Sequence, residues 1–194
     1  MARKIDEDKI ARIKEATMQT IVEKGIESTT IAMIAKNANV SGGYLYRTYA
    51  GKQELINEMY HDKVNSVYKE LENLLSLNKT SIKPLIETFI KNRITYFLDN
   101  PNASKFFYQL LHNENFFASE EIKVKSAELM QSIKSIGVKS GEISKDTTVY
   151  QLHYHILVYA VDYINFTRRN IFEEQEVTIN DVKKLTENIL NILK

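Results

Sequence analysis

The chain contains no cysteine and no tryptophan, and only two prolines and six glycines in 194 residues. Without cysteine there is no disulfide framework, thiol nucleophile or thiolate metal site, so any Zn site would have to come from His and carboxylates. Long apolar runs are missing too: nothing approaches the ~18 uninterrupted apolar residues of a membrane span. The first 20 residues, MARKIDEDKIARIKEATMQT, mix charged and apolar positions where a signal peptide would have an apolar block. A cytoplasmic protein with no membrane partner is expected, and 194 residues suffice to bury a sizeable core.

Enzymatic chemistry finds little support. There is no Gly-rich phosphate loop, and His153 and His155 would lie about 200° apart on a regular helix, where i, i+4 spacing is needed to share a metal. No catalytic residue, metal or cofactor is assigned, and the expectation is a non-enzyme.

The net charge of +1 divides unevenly. Residues 1–52 hold nine Lys/Arg against six Asp/Glu (+3), and residues 53–194 hold seventeen against nineteen (−2). A modest basic bias at one end suits nucleic-acid binding but is equally compatible with scatter.

The scarce breakers are placed. Gly25, Gly42, Gly43 and Gly51 fall in the first 51 residues, which predicts short helices there and long ones afterwards. The first helix is expected from about Asp6 to Lys24, with Ile10, Ile13, Thr17 and Ile21 on one face and Gly25 as its stop. Thr29 and Thr30 precede a short helix bearing Ile31, Ile34, Ala35 and Ala38, which Asn39 ends because it tolerates the left-handed conformation. Ser41 then opens a helix over Gly42–Thr48. Three helices within about fifty residues, the last two about four residues apart, is helix-turn-helix spacing.

Beyond Lys52 the pattern predicts helices from Lys52 to about Leu75, from Lys83 to Asn100, from Ala103 to about Asn113, from Ser119 to a stop at Gly137 to Gly141, over Asp146–Asn170, and over Thr178–Leu193 with a Thr178/Asp181 capping box. At 100° per residue, Asp146–Asn170 shows two apolar faces, Tyr150/Tyr154/Leu157/Val161/Ile164 and Leu152/Ile156/Tyr159/Tyr163/Phe166. A helix apolar on two faces must be covered on both, which predicts a homodimer through the two C-terminal helices, although a purely internal core is the alternative.

The run from Thr29 to Leu55, TTIAMIAKNANVSGGYLYRTYAGKQEL, preceded by Ala16 and Gly25, resembles the DNA-binding signature of the tetracycline-repressor (TetR) family. The resemblance covers about 50 residues; the remainder matches only in length and helical layout. It implies an all-α fold with a three-helix helix-turn-helix DNA-binding domain over residues 1–51 and a helical ligand-binding and dimerisation domain over residues 52–194. It also implies a transcriptional regulator, expected to be a repressor released from a pseudo-palindromic double-stranded DNA operator by a small apolar or aromatic effector.

Carried over by position, the resemblance makes Thr29, Thr30 and the adjoining helix amides phosphate anchors, together with Tyr46, Tyr49 and Lys52. Ser41, Gly42, Gly43, Tyr44 and Arg47 would face the major groove, Arg47 being the side chain there able to contact guanine in bidentate fashion. Three positions depart from the family pattern. Asn39 replaces a glycine, Gly42 stands where a cation is common, and Tyr49 replaces a phenylalanine.

Rings are dense after residue 85, and most belong to core packing under any reading. Tyr60, Val64, Tyr96, Tyr108, His112, His155, Tyr159 and Tyr163 are the candidate effector contacts, since pockets are mostly apolar with a few placed polar groups. Two other functional classes stay open, an activator and a protein of this fold that acts through a protein partner.

Overall fold

The computed structural model describes residues 6–194. Among them there is no strand, and the helices are α1 (Glu7–Lys24), α2 (Ile31–Asn37), α3 (Gly42–Thr48), α4 (Lys52–Leu77), α5 (Lys83–Asp99), α6 (Pro101–Leu111), α7 (Glu120–Lys139), α8 (Val149–Leu152), α9 (Tyr159–Arg168) and α10 (Asp181–Leu193). A π-helical segment, His153–Val158, joins α8 to α9.

Local chemistry accounts for most boundaries. Asp6 caps α1 by accepting from the Lys9 amide, and Gly25 ends it at φ +83° with its N–H donating to the Ile21 carbonyl. Thr30, Ser41, Ser119 and Thr148 each accept an amide hydrogen bond at the start of α2, α3, α7 and α8. Asn39 adopts φ +53° after α2, as its tolerance of that region predicts. Pro101 occupies the first turn of α6, where its missing N–H is harmless, so this helix opens two residues before the expected Ala103. At α10 the Asp181 carboxylate accepts from the Thr178 amide at 2.8 Å, the return arm of the expected capping box, and the helix itself begins at Asp181.

The described residues divide into two compact units. The first runs through Lys63 and takes in Asn100–Phe116. Its core joins Ile13, Ile21, Ile34 and Leu45 with Leu55, Ile56 and Met59 of α4 and Phe106 and Leu110 of α6. The helix-turn-helix therefore closes its apolar faces with the start of α4 and with α6, which packs on α1. The second unit comprises Val64–Asp99 and Phe117–Lys194. Its core gathers Leu71, Ile86, Phe89, Ile90, Ile94, Ile133, Leu152, Ile156, Leu185 and Ile189. Fully burying side chains of this kind stabilises by about 1.5–3 kcal/mol each relative to exposure.

Two details of the second unit hold its helices close. A Cβ on Gly137 would lie 2.5 Å from Ile143 Cδ1, so only glycine permits the approach of that loop to α7. Glu142 accepts from the Ile82 amide at 2.8 Å, the Lys83 amide at 3.2 Å and the Ser81 hydroxyl at 2.7 Å, satisfying the first donors of α5.

The expectation of one regular helix over Asp146–Asn170 is corrected in its middle. α8 starts at Val149, and the π segment adds a residue to the turn, which rotates everything after it relative to a 100° plot. Leu152, Ile156, Ala160 and Ile164 now form the buried stripe, so Ile164 joins the face from which the even 100° spacing had separated it. Tyr150, Tyr154 and Phe166 remain exposed in the single chain.

Candidate nucleic-acid interface and effector region

In the first unit the connection between α1 and α2 is tied from within. The Thr29 hydroxyl donates to the Gly25 carbonyl at 2.8 Å, and Lys52 Nζ donates to the carbonyls of Ile26 at 2.6 Å and Glu27 at 3.4 Å. The side chain of Asn37 donates to Thr20 Oγ1 at 2.9 Å, fixing α2 to α1. Between α2 and α3 the Val40 amide bonds the Ala35 carbonyl, and Ser41 Oγ accepts from the Tyr44 amide at 3.2 Å.

This scaffold leaves one surface of α3 free. Leu45 is buried, as are Ile34 and Ala35 beneath it, while Ser41, Gly43, Tyr46 and Arg47 are exposed and Gly42 and Tyr44 are half-buried. Cβ atoms built on Gly42 and Gly43 meet nothing within 4 Å, so the start of α3 is open to close approach. Tyr46 is 64% exposed, and Lys9 Nζ lies 5.6 Å from the centre of the Tyr44 ring. Thr30 is exposed beside Met33, whose amide donates to its hydroxyl at 3.2 Å.

Two expected phosphate contacts turn inward. Thr29 is buried with its hydroxyl committed to Gly25, which leaves its side chain no lone proton for a phosphate. Tyr49 is 4% exposed and its hydroxyl donates to Glu58 Oε1 at 3.3 Å. Burial, and then the nearby Glu58 carboxylate, push the Tyr49 phenol up to about 12. Lys14 neutralises this acidic patch, bridging Glu58 at 2.9 Å and Asp62 at 2.8 Å.

The sequence-derived effector residues fall in both units. Tyr60, Tyr108 and His112 belong to the first, where Tyr60 packs against Phe116 with centroids 5.9 Å apart and Tyr108 against His112 at 4.6 Å. Val64, Tyr96, His155, Tyr159 and Tyr163 belong to the second. There the Tyr163 hydroxyl donates to Asp181 at 3.0 Å and the Asn188 amide donates to the Tyr159 oxygen at 3.4 Å. His155 Nδ1 is buried without a hydrogen-bond partner among the described residues, and burial lowers the pKa of its ring. An orphaned ring nitrogen inside a π segment is notable because such segments recur at functional sites.

Sequence reasoning missed several polar groups of the second unit. Arg168 stacks on Phe97 with its guanidinium carbon 3.8 Å from the ring centre, and one of its terminal nitrogens is buried without a partner among the described residues. Arg93 lies over Phe89 and pairs with Glu70. His153 Nε2 lies 2.5 Å from the Ser126 hydroxyl, which is also bonded to Tyr68. Their separations, 27 residues between Ser126 and His153, give no periodic signal. The π segment that aims His153 was equally invisible.

Residues 13–59 match the family described as bacterial regulatory proteins, tetR family. They span α1 from Ile13, the whole helix-turn-helix and the start of α4. Over that segment the chain is of the tetR family's helix-turn-helix type.

Similarity extends beyond that segment, more weakly. The HTH-type transcriptional repressor KstR2 of Rhodococcus jostii is 22% identical over 135 residues, 66% of this chain and 64% of the relative, so the match spans under two thirds of that protein. The fatty acid metabolism regulator protein of Bacillus subtilis is 22% identical over 148 residues, 73% of this chain and 74% of the relative. Among solved structures, a TetR family transcription regulator from Marinobacter aquaeolei superposes with a TM-score of 0.75 at 18% identity, covering 97% of both chains. The regulator FadR from Bacillus subtilis, solved in complex with stearoyl-CoA, superposes at 0.66 with 17% identity, covering 93% of this chain and 97% of that one. These likenesses give the fold: an N-terminal helix-turn-helix followed by a helical C-terminal part, among described residues that contain no strand.

Proposed function

We propose that the protein is a cytoplasmic, ligand-responsive repressor that binds a pseudo-palindromic operator as a homodimer and leaves it when a small apolar molecule binds. The observation that carries this reading is the outward surface of α3, where Ser41, Gly43, Tyr46 and Arg47 are exposed on a helix anchored from below by Leu45. A short rigid helix with an open glycine start and a terminal Arg suits major-groove reading. Thr30 and Lys52 flank it as phosphate contacts, Lys52 keeping one ammonium proton beyond the two carbonyls it meets. Thr29 and Tyr49 support the surface from behind. In this assignment residues 1–51 form the DNA-binding domain and residues 52–194 the effector and dimerisation domain. Among the described residues no helix is long and apolar enough to cross a membrane.

The dimer surface in this reading lies on the C-terminal helices. Tyr150 is 81% and Phe172 84% exposed, and Tyr154, Phe166, Ile171, Ile179 and Ile192 are exposed with them. Apolar exposure on this scale is typical of association surfaces. The effector is assigned to the ring-rich helical part, and the stearoyl-CoA complex of the FadR relative makes a long-chain acyl thioester the first compound to try.

The experiment is selection of bound fragments from the source genome with the purified chain, followed by footprinting. A two-fold symmetric protected site is the expected result. Uniform, sequence-independent retention of DNA, or none in moderate salt, rejects the reading.

A further inference from the structure

Two arginines of the second unit share the aromatic face of α5, and only one of them has a carboxylate. Phe89, Arg93 and Phe97 follow at spacings of four, so one face of this helix carries two buried rings with Arg93 between them. Arg93 lies over Phe89 with its guanidinium carbon 4.9 Å from the ring centre, and Arg168, from the last turn of α9, covers Phe97 at 3.8 Å.

Glu70 is fully committed. Its Oε2 pairs with Arg93, and its Oε1 accepts from the Asn92 side-chain amide at 2.8 Å. The side chains of Arg93 and Glu70 are 13% and 21% exposed, so this pair is largely out of water. Arg168 has no such partner among the described residues. Its Nη1 reaches only the neutral amide of Asn165, with Oδ1 at 3.5 Å, and its Nη2 is buried without a hydrogen bond. Arg93 Nε is buried and orphaned in the same way. Burial lowers the pKa of Arg168, and no neighbouring carboxylate offsets it.

A cation drawn out of water without a counter-charge is costly, and each buried donor left unmade adds to the cost. The face therefore holds two positive charges, one negative charge and two idle N–H donors. One monoanion completes it. A carboxylate fits the need, since its two coplanar oxygens accept side by side from guanidinium N–H groups, whereas a phosphate monoester brings close to two charges where one is missing. The rest of such a ligand is apolar, because the rings beneath both guanidiniums are buried among Ile90 and Ile94 in the core of this unit.

We propose that Arg168 and Arg93 hold the carboxylate of an apolar acid, Arg168 through Nη2 and Arg93 through Nε, with the hydrocarbon part of the molecule among the rings of the second unit. The inference rests on the effector reading above and narrows it, from any small apolar molecule to one that ends in a carboxylate. Arg168 brings the uncompensated charge, so it is the residue that separates an acid from its neutral analogue.

The test measures binding of decanoate, 1-decanol and decanoyl-CoA to the full chain near neutral pH by titration calorimetry, with operator binding followed in the same preparations. Decanoate should bind at least about tenfold more tightly than the alcohol of equal length, the worth of a charge-assisted hydrogen bond. Arg168→Gln should bring the two affinities together, and Arg168→Lys, which keeps the charge but loses the planar fork, should retain part of the preference. Arg168→Met keeps the packing on Phe97 and removes the charge. It should raise the melting temperature of the ligand-free protein and abolish the further rise that decanoate gives the parent. Equal affinity for acid and alcohol overturns the proposal, as do no binding of decanoate up to about 1 mM and a preference for the acid that survives in Arg168→Gln. Tighter binding of decanoyl-CoA than of decanoate, unaffected by Arg168→Gln, overturns it too, because the anion of the effector would then lie elsewhere. None of these results touches the repressor reading, which fails only if the parent chain shows no sequence-specific operator binding.

Discussion

The Tyr49 hydroxyl donates to Glu58 at 3.3 Å, joining the residue that ends α3 to the second turn of α4. The tyrosine that replaces the family's phenylalanine thus adds an internal strut. Tyr49→Phe should lower stability by about 0.5–1.5 kcal/mol, the net worth of one hydrogen bond, and leave operator affinity within twofold. Urea unfolding and fluorescence anisotropy measure the two. A tenfold loss of operator affinity at unchanged stability would place the hydroxyl on DNA. The folded pKa of about 12 lies above the unfolded value of 10, so the stabilisation is complete below pH 10 and lost as pH rises towards 12.

Lys52 and Arg47 should separate positioning from reading. Lys52→Ala should weaken binding to all sequences and flatten the log–log salt dependence by about one unit. It should also loosen the Ile26–Glu27 turn, whose carbonyls the ammonium holds. Arg47→Ala should cost about 1–3 kcal/mol on the cognate site and relax preference at one base pair per half-site. Unchanged operator binding by both variants in 150 mM salt would remove this surface from the interface.

The helix-turn-helix was legible because its signals are local. Thr30, Ser41 and Asn39 act within four residues of themselves, and the period of Ile31, Ile34, Ala35 and Ala38 is that of one helix face. The inward turn of Tyr49 was not legible, since its partner Glu58 sits on the next helix and no spacing rule links them. The π segment defeated the periodic plot because one extra residue per turn leaves composition unchanged while rotating Tyr159 to Phe166. Tyr68, Ser126 and His153 meet only through tertiary packing. Nothing in the spacing of Arg93 and Arg168 marks them, yet both lie over phenylalanine rings of α5.

Glu142 should act as a remote cap for α5. Burial alone would raise its pKa, but the hydrogen bonds from Ser140, Ser81, Ile82 and Lys83 outweigh this and lower it from 4.5. Its stabilisation is therefore present above pH 4.5 and lost as pH falls through the lower folded value. Glu142→Gln should destabilise by about 1–3 kcal/mol at neutral pH, with the gap to the parent narrowing in acid. An equal gap at both pH values would contradict this.

Gly137→Ala opposes two effects. Helix propensity favours alanine by about 1 kcal/mol, whereas overpacking costs about 1–3 kcal/mol. The contact to Ile143 Cδ1 is a side-chain end and the one to Ile143 Cγ1 at 2.7 Å is not, so packing should win and thermal unfolding should occur at lower temperature. Gly137→Ala combined with Ile143→Val should recover part of the loss, because the shorter side chain removes the nearer atom.

The dimer reading predicts that Phe166→Asp and Ile192→Asp, both at exposed positions, leave the monomer folded but shift sedimentation at micromolar concentration from dimer to monomer. Operator affinity should fall with it, because two half-sites about 34 Å apart are held only by a dimer. A parent chain that sediments as a monomer with and without DNA would reject the surface outright.

The last prediction concerns coupling between DNA and effector. α4 is a single helix of 26 residues that contributes Leu55, Ile56 and Met59 to one core and Leu71 to the other. An effector that favours a conformation of the ring-rich part in which α4 is displaced would act on both operator half-sites of a dimer. It shifts the equilibrium only by its difference in affinity for the two states. A coupling of about 1–3 kcal/mol lowers operator affinity by roughly 5- to 150-fold, and reciprocity requires the operator to weaken the effector by the same factor. The measurement is the affinity of stearoyl-CoA for the free and the operator-bound protein. Tyr159→Ala and Tyr108→Ala, tested separately, should change that affinity while leaving binding of the operator alone within severalfold. If stearoyl-CoA binds both forms with one constant, it is a passenger and the release mechanism must be sought in another compound or in no ligand at all.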